Sequence, residues 1–124
     1  MGKELTMGRA ARVGLIPLLL LLLTGEVTAH ALLDRAEPRV GNTVAKAPGE
    51  VTLWFTQKLE AAFSTITVTN AAGQRVDSGK PRVSGSQMSV SLRPGGSGTY
   101  RVNWRVLSAD THTTDGSFTF KVGP

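Results

Sequence analysis

The chain carries two histidines, His30 and His112, and no cysteine, and the positions of these two residues decide what chemistry is open to it. His112 closes the run Ser108-Ala109-Asp110-Thr111-His112. If that run is extended, residues two apart point the same way, and Asp110 and His112 offer a carboxylate oxygen and an imidazole nitrogen to one point. His30, if it becomes the first residue, offers two nitrogens at once, the free amine and ring Nδ1. Both donors belong to one residue, so pairing them costs little additional ordering entropy. A mixed nitrogen and oxygen set in square-planar or tetragonal form suits Cu(II), which also leads the affinity order of the first-row divalent ions. The lack of thiolate argues against structural zinc and against soft-metal sites built on sulfur. D-x-H also has a plainer reading, in which His112 is a loop histidine bonding locally and Asp110 a turn-forming carboxylate beside Thr111.

Whether His30 can serve depends on how the chain is processed. Residues 1–29 have a basic start (Lys3, Arg9, Arg12), an apolar run from Val13 to Leu23, and small residues at Val27 and Ala29. This is the pattern of a secretory signal peptide. The apolar run falls short of the roughly 20 residues that a spanning helix needs, so removal is expected rather than retention as an anchor. Val27-Thr28-Ala29 places the cut before His30, whereas Ala29-His30-Ala31 offers a second small-x-small pattern whose use would discard the histidine.

Cleavage after Ala29 leaves residues 30–124, which is 95 of the 124 residues and the size of one immunoglobulin-like sandwich. Such a domain buries a modest core and has little room for an enclosed substrate pocket. Without cysteine it must stand on packing alone, even in an oxidising compartment. Setting aside Lys3, Arg9, Arg12, Glu4 and Glu26, the 14 basic and 9 acidic residues become 11 and 7, a formal charge of +4. The basic residues are scattered and have few aromatics among them, which is the pattern of a solvated surface rather than of a nucleic-acid-binding face.

The elements that must carry the site are strands. Tyr100, Val102, Trp104 and Val106 alternate with Arg101, Asn103 and Arg105, the period-two pattern of a half-buried strand. Similar windows run over Val51–Phe55, Thr65–Thr69, Met88–Leu92 and Ser117–Val122. Turn signals separate them at Gly41-Asn42, Ala71-Ala72-Gly73, Ser78-Gly79-Lys80-Pro81, Ser84-Gly85-Ser86 and Pro94-Gly95-Gly96-Ser97-Gly98. The expectation is an all-β sandwich or small barrel of about seven antiparallel strands. Tyr100, Trp104, Phe118 and Phe120 are expected in its core, and Trp54 either lines the site or packs. Arg105 and Ser108 stand near enough to the loop to orient Asp110.

From His30 onward the chain resembles the CopC family of periplasmic copper-resistance proteins. The resemblance is carried by His30-Ala31-x-Leu33, Pro38-x-x-Gly41 and Val51-Thr52-Leu53-Trp54-Phe55. It is strongest from Gly98 through Tyr100, Trp104 and the S-x-D-x-H loop to His112, and Gly116 to Val122 closes it. The resemblance implies a Greek-key, immunoglobulin-like sandwich whose mature N-terminus is His30, binding one Cu(II) through the amine and ring of His30, Asp110 and His112. It also implies cleavage after Ala29, periplasmic location, a monomer without catalytic activity, and a separate inner-membrane copper protein of the CopD type as partner. The chain departs from some relatives in two places. Met88 is the only methionine after residue 29, so a thioether-rich Cu(I) site is not expected, and Gln57 stands where some relatives carry a carboxylate. Two other classes compete with this reading. A histidine-brace copper oxidase would need an open coordination position and a broad substrate face, and a metal-free immunoglobulin-like binding module would be preferred if the mature chain began elsewhere than His30.

Overall fold

The computed structural model describes residues 31–124, so the expected signal peptide and His30 lie outside the described residues. Eight strands follow in order: β1 (Leu33–Glu37), β2 (Thr43–Val44), β3 (Glu50–Phe55), β4 (Thr65–Thr69), β5 (Asp77–Ser84), β6 (Gln87–Leu92), β7 (Gly98–Leu107) and β8 (Thr113–Val122). They form two four-stranded sheets, ordered β1-β3-β6-β5 and β2-β8-β7-β4. Only β5–β6 and β7–β8 are paired by direct hairpins; the other consecutive strands lie in opposite sheets, which gives the expected Greek-key sandwich.

The alternation read in the sequence is what packs the two sheets together. Tyr100, Val102 and Val106 of β7 are fully buried, as are Met88 and Val90 of β6, Val51 and Leu53 of β3 and Phe120 of β8. Burying one such side chain contributes about 1.5–3 kcal/mol. Tyr100 stacks on Phe120 with centroids 5.2 Å apart, and its hydroxyl donates to the Gly96 carbonyl at 2.7 Å. Trp104 meets Phe55 of the opposite sheet edge-on at 5.1 Å. Its indole also occupies the space beside Gly116, where a β-carbon would come within 2.5 Å of the ring. The core role expected of Tyr100, Trp104, Phe118 and Phe120 is what the structure shows, with Trp104 the least enclosed of the four.

Three features differ from the sequence reading. Ser78-Gly79-Lys80-Pro81 is not a turn but lies inside β5, where the register with β6 slips between Ser78 and Arg82. β5 is an edge strand, and an edge tolerates a proline and an irregular register because one side of its ladder is unpaired. β2 is an eighth, two-residue strand, and it pairs with β8 in parallel rather than antiparallel. β8 starts at Thr113, four residues before the apolar alternation, because continuous pairing with β7 from Gly98↔Val122 to Leu107↔Thr113 orders the polar stretch as well.

Candidate metal centre

The β7–β8 ladder sets the shape of the loop that carries Asp110 and His112. Beyond the Leu107↔Thr113 pair, the Ser108 N–H donates to the His112 carbonyl at 2.9 Å, leaving Ala109, Asp110 and Thr111 to reverse the chain. The Thr111 N–H donates to the Ser108 carbonyl at 2.9 Å, and Thr111 itself has φ of 72°. A turn followed by one residue in the left-handed region is the usual three-residue hairpin connection. Glycine or asparagine normally fills that last position, and a β-branched residue there carries strain of about 1–3 kcal/mol. The expected extended run is therefore corrected: Asp110 and His112 share a side because the chain reverses between them.

The reversal brings His112 Nδ1 within 3.4 Å of Asp110 Oδ2, with both side chains partly exposed. One ion at ordinary metal–nitrogen and metal–oxygen distances of about 2.0–2.2 Å can touch both atoms. The other carboxylate oxygen, Oδ1, accepts a short hydrogen bond from the hydroxyl of Ser108, which is fully buried. That bond, with the backbone amide and ring of His112, outweighs the carboxylate's partial loss of hydration and holds Asp110 below the usual carboxylate range. Arg105, the other residue expected to orient Asp110, instead faces Asp115 across β7–β8 at 3.9 Å. Trp54 is half-buried and lies under the Arg35 guanidinium at 3.9 Å, a cation–π contact.

Two further segments meet this loop. The stretch after β3 is tied to it by the Ala109 N–H donating to the Lys58 carbonyl at 2.9 Å and the Glu60 N–H donating to the Leu107 carbonyl at 2.8 Å; Gln57 lies in this stretch. The first described residues are fastened on both sides. Leu32 exchanges bonds with Thr56, its N–H donating to Oγ1 and its carbonyl accepting from the Thr56 N–H, each at 2.9 Å. The carbonyl of the fully buried Ala31 accepts from Thr114 Oγ1 at 2.8 Å. Thr56, Thr114 and the left-handed Thr111 are the residues that sequence reasoning missed. Threonines in polar stretches carry no signal of which distant carbonyl or amide they reach. Among the described residues no group of three histidines, cysteines or acids gathers at one point.

Fold and loop together define a class: a small β-sandwich displaying a nitrogen and oxygen donor pair on one hairpin. Residues 33–123 match the model of the CopC domain. Protein YobA of Escherichia coli K12 is 34% identical over 122 residues, covering 92% of this chain and 95% of that protein. The crystal structure of CopC from Methylosinus trichosporium OB3b superposes with a TM-score of 0.72 at 30% identity, covering 77% of this chain and 95% of that one. PcoC, a methionine-rich copper resistance protein from Escherichia coli, superposes with a TM-score of 0.67 at 32% identity, covering 76% and 99%. The chain belongs to the CopC family of copper resistance and transport proteins.

Proposed function

We propose that the exported protein begins at His30 and binds one Cu(II) through the amine and ring Nδ1 of that residue together with Asp110 and His112. In this reading residues 1–29 are a signal peptide and residues 30–124 work in the periplasm, where the protein sequesters copper or passes it on. Its exchange partner is a separate inner-membrane copper protein of the CopD type, and copper is its cargo rather than a catalytic centre. The observation that carries the reading is the Thr114 hydroxyl bond to the Ala31 carbonyl, across 83 residues of chain. It ties the residue after His30 to the strand that leaves the loop two residues beyond His112.

The donor set fits the cargo. Nitrogens from an amine and two imidazoles, with one carboxylate oxygen, suit Cu(II). Met88, the only methionine among the described residues, is fully buried, so no thioether of theirs is offered to Cu(I). The carboxylate held beside His112 supports binding and transfer over oxidase chemistry, because it would take a coordination position that an oxidase keeps open.

Intact mass of the exported protein, followed by Cu(II) titration under electron paramagnetic resonance, tests this reading. The expected result is a start at His30, one Cu(II) per chain and nitrogen-dominated equatorial coordination. A start at Leu32 would overturn the chelate and the mechanism with it.

A further inference from the structure

Asp110 is bound through one carboxylate oxygen to the hydroxyl of the buried Ser108. The carboxylate stands partly in solvent, so its hydrogen bond satisfies no buried acceptor. Ser108, by contrast, is fully buried and immobilised on all sides. Its N–H and carbonyl are taken by His112 and Thr111 across the turn, and its backbone bridges to Leu59. Its hydroxyl has one proton and two acceptors in reach, Asp110 Oδ1 and the His112 carbonyl at 3.1 Å. The carbonyl already holds the Ser108 N–H, and an ionised carboxylate is the stronger acceptor, so the proton goes to Asp110.

We propose that Ser108 is the positioning residue of the copper loop, holding Asp110 Oδ1 from a fixed point in the core so that Oδ2 is the oxygen offered to the metal beside His112 Nδ1. This rests on reading Asp110 and His112 as copper ligands. Without the hydroxyl, the Asp110 carboxylate keeps only its contacts with the backbone amide and ring of His112 and is held less firmly on an exposed loop. Copper must then order the carboxylate itself, whereas in the native loop that ordering is already made. Outer partners that orient a metal ligand typically change affinity by about 10–100-fold, and the partial exposure of Asp110 sets the expectation at the lower end.

The test is a double-mutant cycle of Ser108→Ala and Asp110→Ala in the mature protein, read by competition titration with Cu(II), electron paramagnetic resonance and thermal unfolding of the apo forms. Ser108→Ala is expected to weaken Cu(II) by about 10-fold, to alter the copper hyperfine pattern and to leave the apo protein folded. Combined with Asp110→Ala it is expected to add nothing, because Ser108 acts only through that carboxylate. Ser108→Thr keeps the hydroxyl and is expected to restore the native spectrum. A loss that adds fully to that of Asp110→Ala would reduce Ser108 to a packing residue and overturn the proposal. Native affinity and spectrum in Ser108→Ala, with Asp110→Ala still impaired, would overturn it while leaving the ligand assignment standing. Native affinity in both single variants and in His112→Ala would overturn the ligand assignment and this proposal together.

Discussion

Two aspartates in this sandwich are held below the usual carboxylate range, and they differ in almost every other respect. Asp77, at the start of β5, is buried, with only 4% of its side chain exposed. Burial opposes its charge. The Arg75 guanidinium, bonded to it at 3.1 Å and 2.6 Å, and the Val68 N–H at 2.9 Å outweigh that cost. Both of its oxygens are thus committed to structure, and Asp77 fastens β4 to β5 where the edges of the two sheets come together. Asp110 is partly exposed on a hairpin, with one oxygen committed to Ser108 and the other facing a histidine ring. A depressed carboxylate therefore does not by itself mark a site. What distinguishes Asp110 is a partly exposed oxygen that faces a histidine ring nitrogen.

The sharpest way to break this comparison is to remove donors at one aspartate's end and look for effects at the other. Adding residues before His30 converts the amine to an amide, and His112→Ala deletes an imidazole. Each is expected to weaken Cu(II) by more than about 100-fold, beyond what outer partners cost, with apo stability changed by less than about 0.5 kcal/mol. Competition titration paired with thermal melts reads both quantities. An extended protein that binds as tightly as the native one would remove His30 from the site.

Asp77→Ala should do the reverse. It leaves the Val68 N–H without its acceptor and strips the Arg75 guanidinium of its partner, a loss of about 2–3 kcal/mol. For a domain of this size the melting midpoint would fall by roughly 10–20 °C. Copper stoichiometry and spectrum should stay native in the folded fraction.

Acid sharpens the contrast. A carboxyl whose folded pKa lies below its unfolded value binds fewer protons folded than unfolded. Its stabilisation is thus complete above the unfolded value of about 3.9 and is lost as pH falls through the folded one. Asp77 and Asp110 share this sign. Apo-protein denaturant midpoints measured from neutral pH downwards should hold until about pH 4 and then fall. Asp77→Asn should flatten that fall much more than Asp110→Asn, because Asp110 is exposed to solvent. Copper affinity should also decline on acidification, since metal ligands must be deprotonated to bind.

Asp110→Ala should weaken Cu(II) less than His112→Ala, because water can take the vacated position. The smallest effect belongs to Thr111→Gly. It relieves the left-handed strain at φ of 72° and is expected to raise apo stability by about 0.5–1 kcal/mol. Copper should weaken a few-fold, since the freer loop no longer holds its donors ready.

Much of the fold was legible in the sequence because burial obeys a short period. The Tyr100 to Val106 alternation, the turn signals on either side and the absence of helical periodicity determine strands, and strands without cysteine in a chain of this length determine a packed sandwich. The candidate donors follow from composition in the same way: with two histidines and no thiol, the chain has few ways to hold a metal. What only the tertiary structure decided concerns pairings between segments far apart in sequence. That Pro81 sits within an edge strand, that Arg105 answers Asp115 rather than Asp110, and that the Thr114 hydroxyl reaches the Ala31 carbonyl are outcomes of sheet register. Asp110 and His112 come together for the same kind of reason, because the β7–β8 ladder leaves three residues to turn in and forces Thr111 into the left-handed region. A local pattern records which face of a strand is apolar. It carries no record of which distant carbonyl or carboxylate the opposite strand will bring into reach.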